Sequence, residues 1–284
     1  MIVPISMPYS AGVTSVSSNV GEQLNRGFEF SVSGVVVNRN DWYCRINVNG
    51  TKNYNELVKI GDVLRRQNSE NAALLSSSPT QLYVEGKSST TLYAVRSAGI
   101  DAITGREIFI RKDGTQTFTH SYDDEVVVGN SDPDFEGVIG TSFYYKGFSI
   151  SANFRYRVGG QIFLSTLYEK VENISVDDAY YNQDKRALYD RWKQPGDNAK
   201  FKAISTTDET PMSSRFVADN NVFSGESISM GYESQGKWLR TIGASSFNVR
   251  VYMNDIFRVS TVKNERGIDY PFARSVSMSL GLRF

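Results

Sequence analysis

Hydrophobic and polar residues alternate strictly through the carboxyl-terminal end of the chain. Apolar side chains occupy every second position, at Val276, Met278, Leu280, Leu282 and Phe284, and the residues between them are serine, glycine or arginine. Side chains two residues apart lie on the same face of a β-strand. The pattern therefore predicts a terminal strand with one apolar face and one face of small or polar side chains.

A strand of this kind is unusual at the edge of a soluble sheet. Soluble proteins keep edge strands short, charged or bulged, because an exposed edge pairs with other chains. A transmembrane barrel removes its edges by closure, and its strands direct apolar side chains towards lipid and polar ones towards the lumen. The pattern thus predicts a strand of a bacterial-type outer-membrane barrel. Its insertion signal would be formed by Val276, Met278, Leu280, Leu282 and Phe284.

The same period of two recurs in segments that group into pairs. The clearest pair joins residues 139–145 to residues 148–158 through a Lys146-Gly147 turn. Arg155 and Arg157 lie on its polar face, which would be costly in a soluble core but cheap towards a watery lumen. Further pairs are predicted at 28–36 with 42–48, at 228–232 with 247–253 and, more weakly, at 91–99 with 106–111.

Long polar stretches separate these pairs, at about 54–90, 112–135, 160–221 and 254–271. Short turns at one end and long loops at the other are typical of outer-membrane barrels, whose turns are periplasmic and whose loops are extracellular. This orientation would place residues 1–26 in an extracellular loop and Phe284 in the periplasm. About nine strands is an odd count, whereas bacterial single-chain barrels have even numbers, so the pattern predicts a portion of a larger barrel.

Composition agrees with an all-β protein and excludes other classes. The 284 residues include 16 Tyr and 16 Phe but only 7 Pro, a bias that favours strands. A mean hydropathy of −0.36, with no run near the roughly 18 apolar residues that a spanning helix needs, argues against a helical membrane protein. Because 31 basic residues balance 31 acidic ones, nothing in the charge favours a nucleic-acid partner.

Little in the sequence suggests catalysis. Cys44 is the single cysteine and cannot form an internal disulfide, and His120 is the single histidine, in a polar segment without a nucleophile motif. The acidic stretches Asp123–Glu125 and Asp132–Asp134 lack the spacing of a calcium loop. We therefore expect no enzyme activity, no cofactor and no metal site.

Aromatic residues in the 160–221 segment are the candidate ligand contacts. Tyr180, Tyr181, Tyr189 and Trp192 could stack on a sugar or contact another ligand. Packing of these rings within the segment is the structural alternative. The rings expected in the interfacial girdle of the barrel are those of Phe28, Trp42, Tyr145, Trp238 and Phe284.

Several segments share the motifs of one family, in the family's order. Residues 19–29 fit N-x-G-x-x-x-N-x-G-x-E, and residues 92–114 fit G-(I/L)-D-x-x-T-G…D-G. Further matches are 129–140 with Tyr145-Lys146, 190–197 (R-W-x-x-P-G-D), 213–217 with 227–232, 254–257, and 267–284. Through these motifs the chain resembles, over essentially its whole length, the carboxyl-terminal part of SusC/RagA-family TonB-dependent outer-membrane transporters.

The resemblance implies a barrel of about 22 strands with a plugged lumen, of which this chain would supply less than half. Family members import nutrients such as oligosaccharides or peptides, and none of the family's export signal, plug domain or TonB box is recognised in residues 1–284. The expectation is a fragment in the outer membrane that does not transport alone. Its expected partners are outer-membrane lipid, a SusD-like surface lipoprotein and a glycan or peptide ligand, with the TonB complex reached only through the missing plug.

Two alternatives stay open at this point. A non-transporting surface or secreted β-protein could bind glycan through its loops, but the apolar faces of 28–36 and 148–158 would then have to be buried in a soluble core. A small autonomous barrel is disfavoured by the odd strand count and by an amino terminus without a recognisable secretion signal.

Overall fold

The computed structural model describes residues 2–6, 10, 12–73, 79–205, 207–262 and 274–284. They form two compact units. The loop unit comprises residues 1–26, 54–132 and 160–219, and the sheet unit comprises residues 27–53, 133–159 and 220–284. The predicted 267–271 motif and Ala273 lie outside the described residues.

Strands account for most of the regular structure. In chain order they are β1 (Ile2–Ser6), β2 (Ser15–Asn19), β3 (Gly21–Arg39), β4 (Trp42–Ile60), β5 (Thr91–Ile100), β6 (Glu107–Ile110), β7 (Gln116–Thr117), β8 (Glu125–Asn130), β9 (Phe135–Tyr145), β10 (Phe148–Val158), β11 (Gln161–Phe163), β12 (Val217–Asp219), β13 (Val222–Ser234), β14 (Ser246–Ser260) and β15 (Val276–Arg283). The α-helices are α1 (Asp62–Ala73), α2 (Arg186–Tyr189) and α3 (Lys237–Thr241). No helix in the described ranges is long and apolar enough to cross a membrane.

A seven-stranded sheet in the order β15-β14-β13-β10-β9-β4-β3 is the main element, and the pairings from β15 through to β4 are antiparallel. Its register brings the apolar positions of successive strands level. One such row runs through Trp42, Tyr145, Phe148, Tyr232, Val249 and Leu280, and the next runs through Cys44, Phe143, Ile150, Met230, Val251 and Met278. The alternation predicted for each strand thus adds up to one continuous apolar face.

The opposite face of this sheet is polar and small. A representative row contains Arg45, Ser142, Ser151, Ser229, Tyr252 and Ser277. Arg45 donates a hydrogen bond to Ser33 Oγ of β3 at 3.0 Å, and Asn153 donates to Ser227 Oγ at 3.0 Å. Arg155 lies 3.4 Å from the Glu226 carboxylate. The arginines on this face therefore have polar surroundings, as the sequence predicts.

Aromatic rings lie at both ends of the apolar face. Near the short turns, the rings of Trp42 and Tyr145 are 4.3 Å apart and those of Phe148 and Tyr232 are 4.5 Å apart. The second group comprises Phe30, Phe135, Phe154, Tyr156, Phe223 and Phe257. Phe148 and Tyr156 on β10 are separated by about 26 Å of strand, close to the roughly 25 Å height of the apolar band of a membrane barrel.

Tyr156 also fixes three strands to one another. Its hydroxyl donates a hydrogen bond to the Asn49 carbonyl oxygen at 2.8 Å, and its ring lies beside Gly50 and Gly137. A Cβ atom added at Gly137 would overlap both the Asn49 carbonyl oxygen and this ring. The two glycines therefore allow the aromatic side chain to lie flat on the strands, which compensates for their own missing side chains.

The turns at the short-turn end agree with the predicted pairs. Lys146 and Gly147 both have positive φ, 44° and 89°, as a two-residue hairpin turn requires. The β3–β4 turn is Asn40-Asp41, and the β13–β14 connection at 235–245 contains α3. The strand pairs at 28–36 with 42–48, 139–145 with 148–158 and 228–232 with 247–253, and the terminal strand, are all confirmed.

The weaker pair, 91–99 with 106–111, differs from the prediction. It does form a hairpin, β5–β6, but this belongs to a separate four-stranded sheet, β7-β6-β5-β8, within the loop unit. The described part of the barrel-like sheet therefore has seven strands. The loop prediction for residues 1–26 is also too simple, because β1 pairs with β2 and β3 already begins at Gly21.

Candidate functional site

A buried ion network lies within the loop unit. The Arg215 guanidinium is 2.9 Å from the Glu107 carboxylate and 2.8 Å from that of Glu172, and it lies over the Phe216 ring at 4.6 Å. Ser213 Oγ donates to Glu107 at 2.6 Å. Because the Glu107 and Glu172 side chains are only 4% and 0% exposed, the network ties β6 to the 160–219 segment without help from solvent.

The electrostatics of this network follow from its burial. Burial alone would lower the pKa of Arg215, but the Glu107 and Glu172 carboxylates raise it above its ordinary value. Arg191 is buried nearby and has its pKa lowered by burial, although Glu172 partly opposes this. Its guanidinium donates to the carbonyl oxygens of Ala187 at 2.8 Å and Lys202 at 3.0 Å. Both arginines therefore hold backbone segments together rather than facing a ligand.

Trp192 joins two of the segments that carry the family resemblance. Its indole Nε1 donates to the Ala102 carbonyl oxygen at 2.9 Å, and Gly196 N donates to the same oxygen at 2.8 Å. Gly105 has a φ of 69°, and a Cβ atom there would overlap the indole ring. Trp192 is therefore packed on the turn at residues 101–105. For this ring, packing within the protein is observed, which was the alternative to a ligand contact.

The three tyrosines proposed as ligand contacts are placed differently from Trp192. Tyr180, Tyr181 and Tyr189 are 85%, 76% and 76% exposed. Leu188, Val176 and Ile204 in the same part of the chain are also exposed. These rings are accessible to a ligand or partner, and their role stays a prediction.

A cleft of about 390 Å³ is lined by residues of the 168–178 segment, which precedes Tyr180 and Tyr181, and by Ser205 and residues 207–209. Its lining includes Tyr168, Lys170, Asn173, Asp178, Asp208 and Glu209. Lys170 is 2.8 Å from Asp178, and this hydrogen bond together with that from Ser175 lowers the pKa of the Asp178 carboxyl. Burial raises the pKa of Tyr168 to about 12, so its hydroxyl stays protonated and donates to the Thr210 carbonyl oxygen at 2.8 Å.

His120 is packed between two aromatic rings. The imidazole meets Phe109 at 5.2 Å and Tyr122 at 4.8 Å, both edge-on. Burial lowers the pKa of His120, and this outweighs the opposing effects of the Met212 backbone and of the Glu107 and Asp124 charges. In the described ranges, moreover, no group of three or more His, Cys, Asp or Glu side chains could hold a metal ion.

We expect the pKa of His120 in the folded chain to lie below 6.5, its ordinary value, whereas in denaturant it should return to about 6.5. The folded state then disfavours the imidazolium. Protonation of His120 therefore does not reduce the free energy of unfolding at neutral pH, but reduces it as the pH drops through the ordinary pKa. Because His120 is the only histidine, its Hε1 resonance can be followed by NMR without assignment. A folded-state midpoint at or above the denatured one would contradict this packing.

The apolar face of the seven-stranded sheet is a candidate functional surface separate from the loop unit. The predicted insertion signal, Val276, Met278, Leu280, Leu282 and Phe284, is 52–82% exposed. Phe28, Val32, Val36, Phe148, Ile150 and Val158 are exposed as well, so the faces of 28–36 and 148–158 are not buried as a soluble glycan-binding protein would require. A continuous exposed apolar face with aromatic ends opposite a polar face defines a membrane-spanning β-sheet of the barrel class.

Comparisons with known proteins agree with this class. No family model matches the chain. It is 23% identical over 321 aligned residues to the TonB-dependent receptor P3 of Formosa agariphila, covering 100% of this chain and 31% of that protein. TonB-dependent receptor P39 of the same organism is 20% identical, covering 90% of this chain and 28% of that receptor. The chain therefore spans about a third of the length of the curated relatives it matches.

Solved structures show the same fold. The "open-open" state of the RagAB peptide importer superposes with a TM-score of 0.75 at 20% identity, covering 100% of this chain and 31% of that one. A structure of the RagAB peptide transporter gives 0.73, covering 93% and 29%. The predicted fold class, an antiparallel portion of a transmembrane barrel, is thereby confirmed. So is the predicted resemblance to TonB-dependent transporters of the SusC/RagA type.

The sequence motifs have a structural meaning that sequence reasoning missed. Glu107, Arg191 and Arg215 all lie inside segments quoted for the resemblance, yet none of them was predicted to form a site. Together with Glu172 they build the buried network of the loop unit. The sequence did offer one indication of this network. Charged residues occur within family motifs in segments where hydrophobic and polar residues do not alternate regularly.

Proposed function

We propose that this chain supplies barrel wall and cell-surface loops to an outer-membrane importer of nutrients too large for porins. The strands of the sheet unit would form part of the wall, and the long segments between the strand pairs would be extracellular loops. The observation that carries this proposal is the continuous exposed apolar face, combined with similarity to TonB-dependent receptors along the whole chain. The mechanism is binding and passage of a ligand, with no covalent chemistry.

Residues 1–284 correspond to the carboxyl-terminal part of such a transporter and are not transport-competent alone in this proposal. Seven described strands make up about a third of a wall of about 22. The plug and the TonB-contacting segment would come from outside this sequence. A SusD-like surface lipoprotein is the proposed partner at the extracellular face, and the RagAB peptide importer is the solved precedent for the fold.

The proposed ligand is a peptide or an oligosaccharide, and it would meet the loop unit at the exposed tyrosines. Tyr180 and Tyr181 lie two and three residues after Asp178, which lines the cleft. Exposed aromatic rings, and a cleft lined by hydrogen-bonding side chains, suit ligands that combine flat apolar surfaces with hydrogen-bonding groups. Trp192 is not included, because its ring is occupied by the 101–105 turn.

Growth of the native host on a single nutrient source tests this proposal. Replacing Tyr180, Tyr181 and Tyr189 together by alanine should slow growth on peptides or on oligosaccharides several-fold and leave growth on a monosaccharide unchanged. Tyr54→Ala, at another exposed tyrosine of the loop unit, is the matched control and should grow normally. Unchanged growth of the triple variant on every large nutrient would refute the ligand role. Wild-type growth after complete loss of the gene would refute the importer itself.

A further inference from the structure

The β13–β14 connection forms a folded cap at the short-turn end of the sheet unit. Leu239 of α3 is fully buried and Ala244 is nearly so. Gly243, with a φ of 76°, ends the helix, and Ala244 N donates to the Leu239 carbonyl oxygen at 2.9 Å. Ser245 donates to the Arg283 carbonyl oxygen through both its backbone N, at 2.6 Å, and its hydroxyl, at 3.0 Å. The helix is therefore held against β15.

The outer side of this cap continues the apolar face of the sheet. Trp238 is 54% exposed and Ile242 is 55% exposed. The Trp238 ring meets Phe247 edge-on at 6.1 Å, and Phe247 is the register partner of Leu282 on the apolar face. Tryptophan at the end of an apolar membrane surface sits at the level of the lipid headgroups. The cap is thus contiguous with the membrane-facing surface of the sheet.

The exposed polar side of the cap has one sign of charge. Residues 235–245 contain Lys237 and Arg240 and no acidic residue, and both basic side chains are exposed. Basic side chains close to interfacial aromatic rings complement the phosphates of anionic lipid headgroups. Continuity with the lipid surface and this charge together point to one kind of partner.

We propose that α3 is an anchor for anionic phospholipid. Trp238 and Ile242 insert among the headgroups, and Lys237 and Arg240 bind headgroup phosphate. The buried Leu239 and the Ser245–Arg283 hydrogen bonds keep these four side chains in place at the bilayer surface. The anchor would favour one position of the sheet along the membrane normal, because moving the cap out of the headgroup layer would expose Trp238 and Ile242 to water.

Flotation of the full chain with lipid vesicles tests the anchor. The chain is diluted from denaturant onto vesicles of phosphatidylcholine, with or without one-fifth phosphatidylglycerol, and the vesicle-bound fraction is measured. Phosphatidylglycerol should raise the partition coefficient of the wild type. In the K237Q/R240Q variant this increase should be smaller by a factor of roughly ten. Trp238→Ala should weaken binding to both kinds of vesicle, because the ring inserts whatever the headgroup charge.

The matched control is K185Q/K193Q, which removes the same charge from exposed positions of the loop unit and should keep the full gain. Free glycerol phosphate should compete no better than sodium chloride of equal ionic strength, since the proposal requires headgroups in a bilayer. The anchor would be overturned if phosphatidylglycerol did not raise binding of the wild type, or if K185Q/K193Q lost as much of the increase as K237Q/R240Q. Failure of the wild type to float with either vesicle, or displacement by the free phosphate ester, would overturn it as well.

Discussion

Replacing Arg215 by methionine should destabilise the loop unit by about 3–5 kcal/mol, since it leaves two buried carboxylates without their cation. The Glu107 and Glu172 carboxylates lie within 2.9 Å of the guanidinium and are almost fully buried. The length of the methionine side chain keeps most of the packing, so the loss reports mainly on charge. Hydrogen exchange measured by mass spectrometry should show faster exchange across residues 91–130 and 160–219.

The control for this prediction is Arg65→Met, which breaks an exposed ion pair with Glu85 at 3.1 Å. Exposed pairs contribute at most about 1 kcal/mol, so its exchange should be close to wild type. Adding Glu107→Gln and Glu172→Gln to Arg215→Met should restore part of the protection, because neutral amides no longer need a cation. Equal effects of Arg215→Met and Arg65→Met would show that the network does not hold the loop unit together.

Replacing Met278 by arginine should weaken insertion of the chain into a bilayer. Met278 is 63% exposed on the apolar face, between the two groups of aromatic rings. Arginine on the lipid face of a membrane barrel costs about 2–4 kcal/mol at the midplane and about 0–1 kcal/mol near the interfaces, and Met278 lies between these two levels. Ser279→Arg is the matched control, because Ser279 is the next residue along β15 and lies on the polar face opposite Arg250.

Insertion is measured as the fraction of chain that stays with phospholipid vesicles after extraction with urea. The Met278→Arg variant should be extracted at clearly lower urea concentration than the wild type, and Ser279→Arg should resemble the wild type. Equal sensitivity at the two positions would mean that the two faces of β15 do not meet different surroundings.

Period-two alternation was sufficient to predict the strands of the sheet, because an apolar side chain at every second position is required wherever one face meets lipid. It failed at the strand ends. Residues 21–27 continue β3, yet most of them are polar, so alternation carries no information there. Residues 254–260 continue β14 across a β-bulge opposite Gly225–Ser227, and a bulge interrupts the period of two.

The loop unit was the least predictable part of the fold. Arg215 lies 108 residues from Glu107 and 43 residues from Glu172, and no local pattern indicates that these charges meet. Trp192 shows the same difficulty, since exposed and packed aromatic residues look alike in a polar segment. Only the structure separates the packed Trp192 ring from the accessible Tyr180, Tyr181 and Tyr189 rings.

Contact between lipid and the apolar face of the seven-stranded sheet is the central prediction. Single cysteines placed at 276–282 in a Cys44→Ser background, each labelled with a fluorophore in vesicles, test it directly. Lipid-borne quenchers should reach labels at positions 276, 278, 280 and 282, and aqueous iodide should reach those at 277, 279 and 281. Quenching that does not alternate along β15 would contradict the claim.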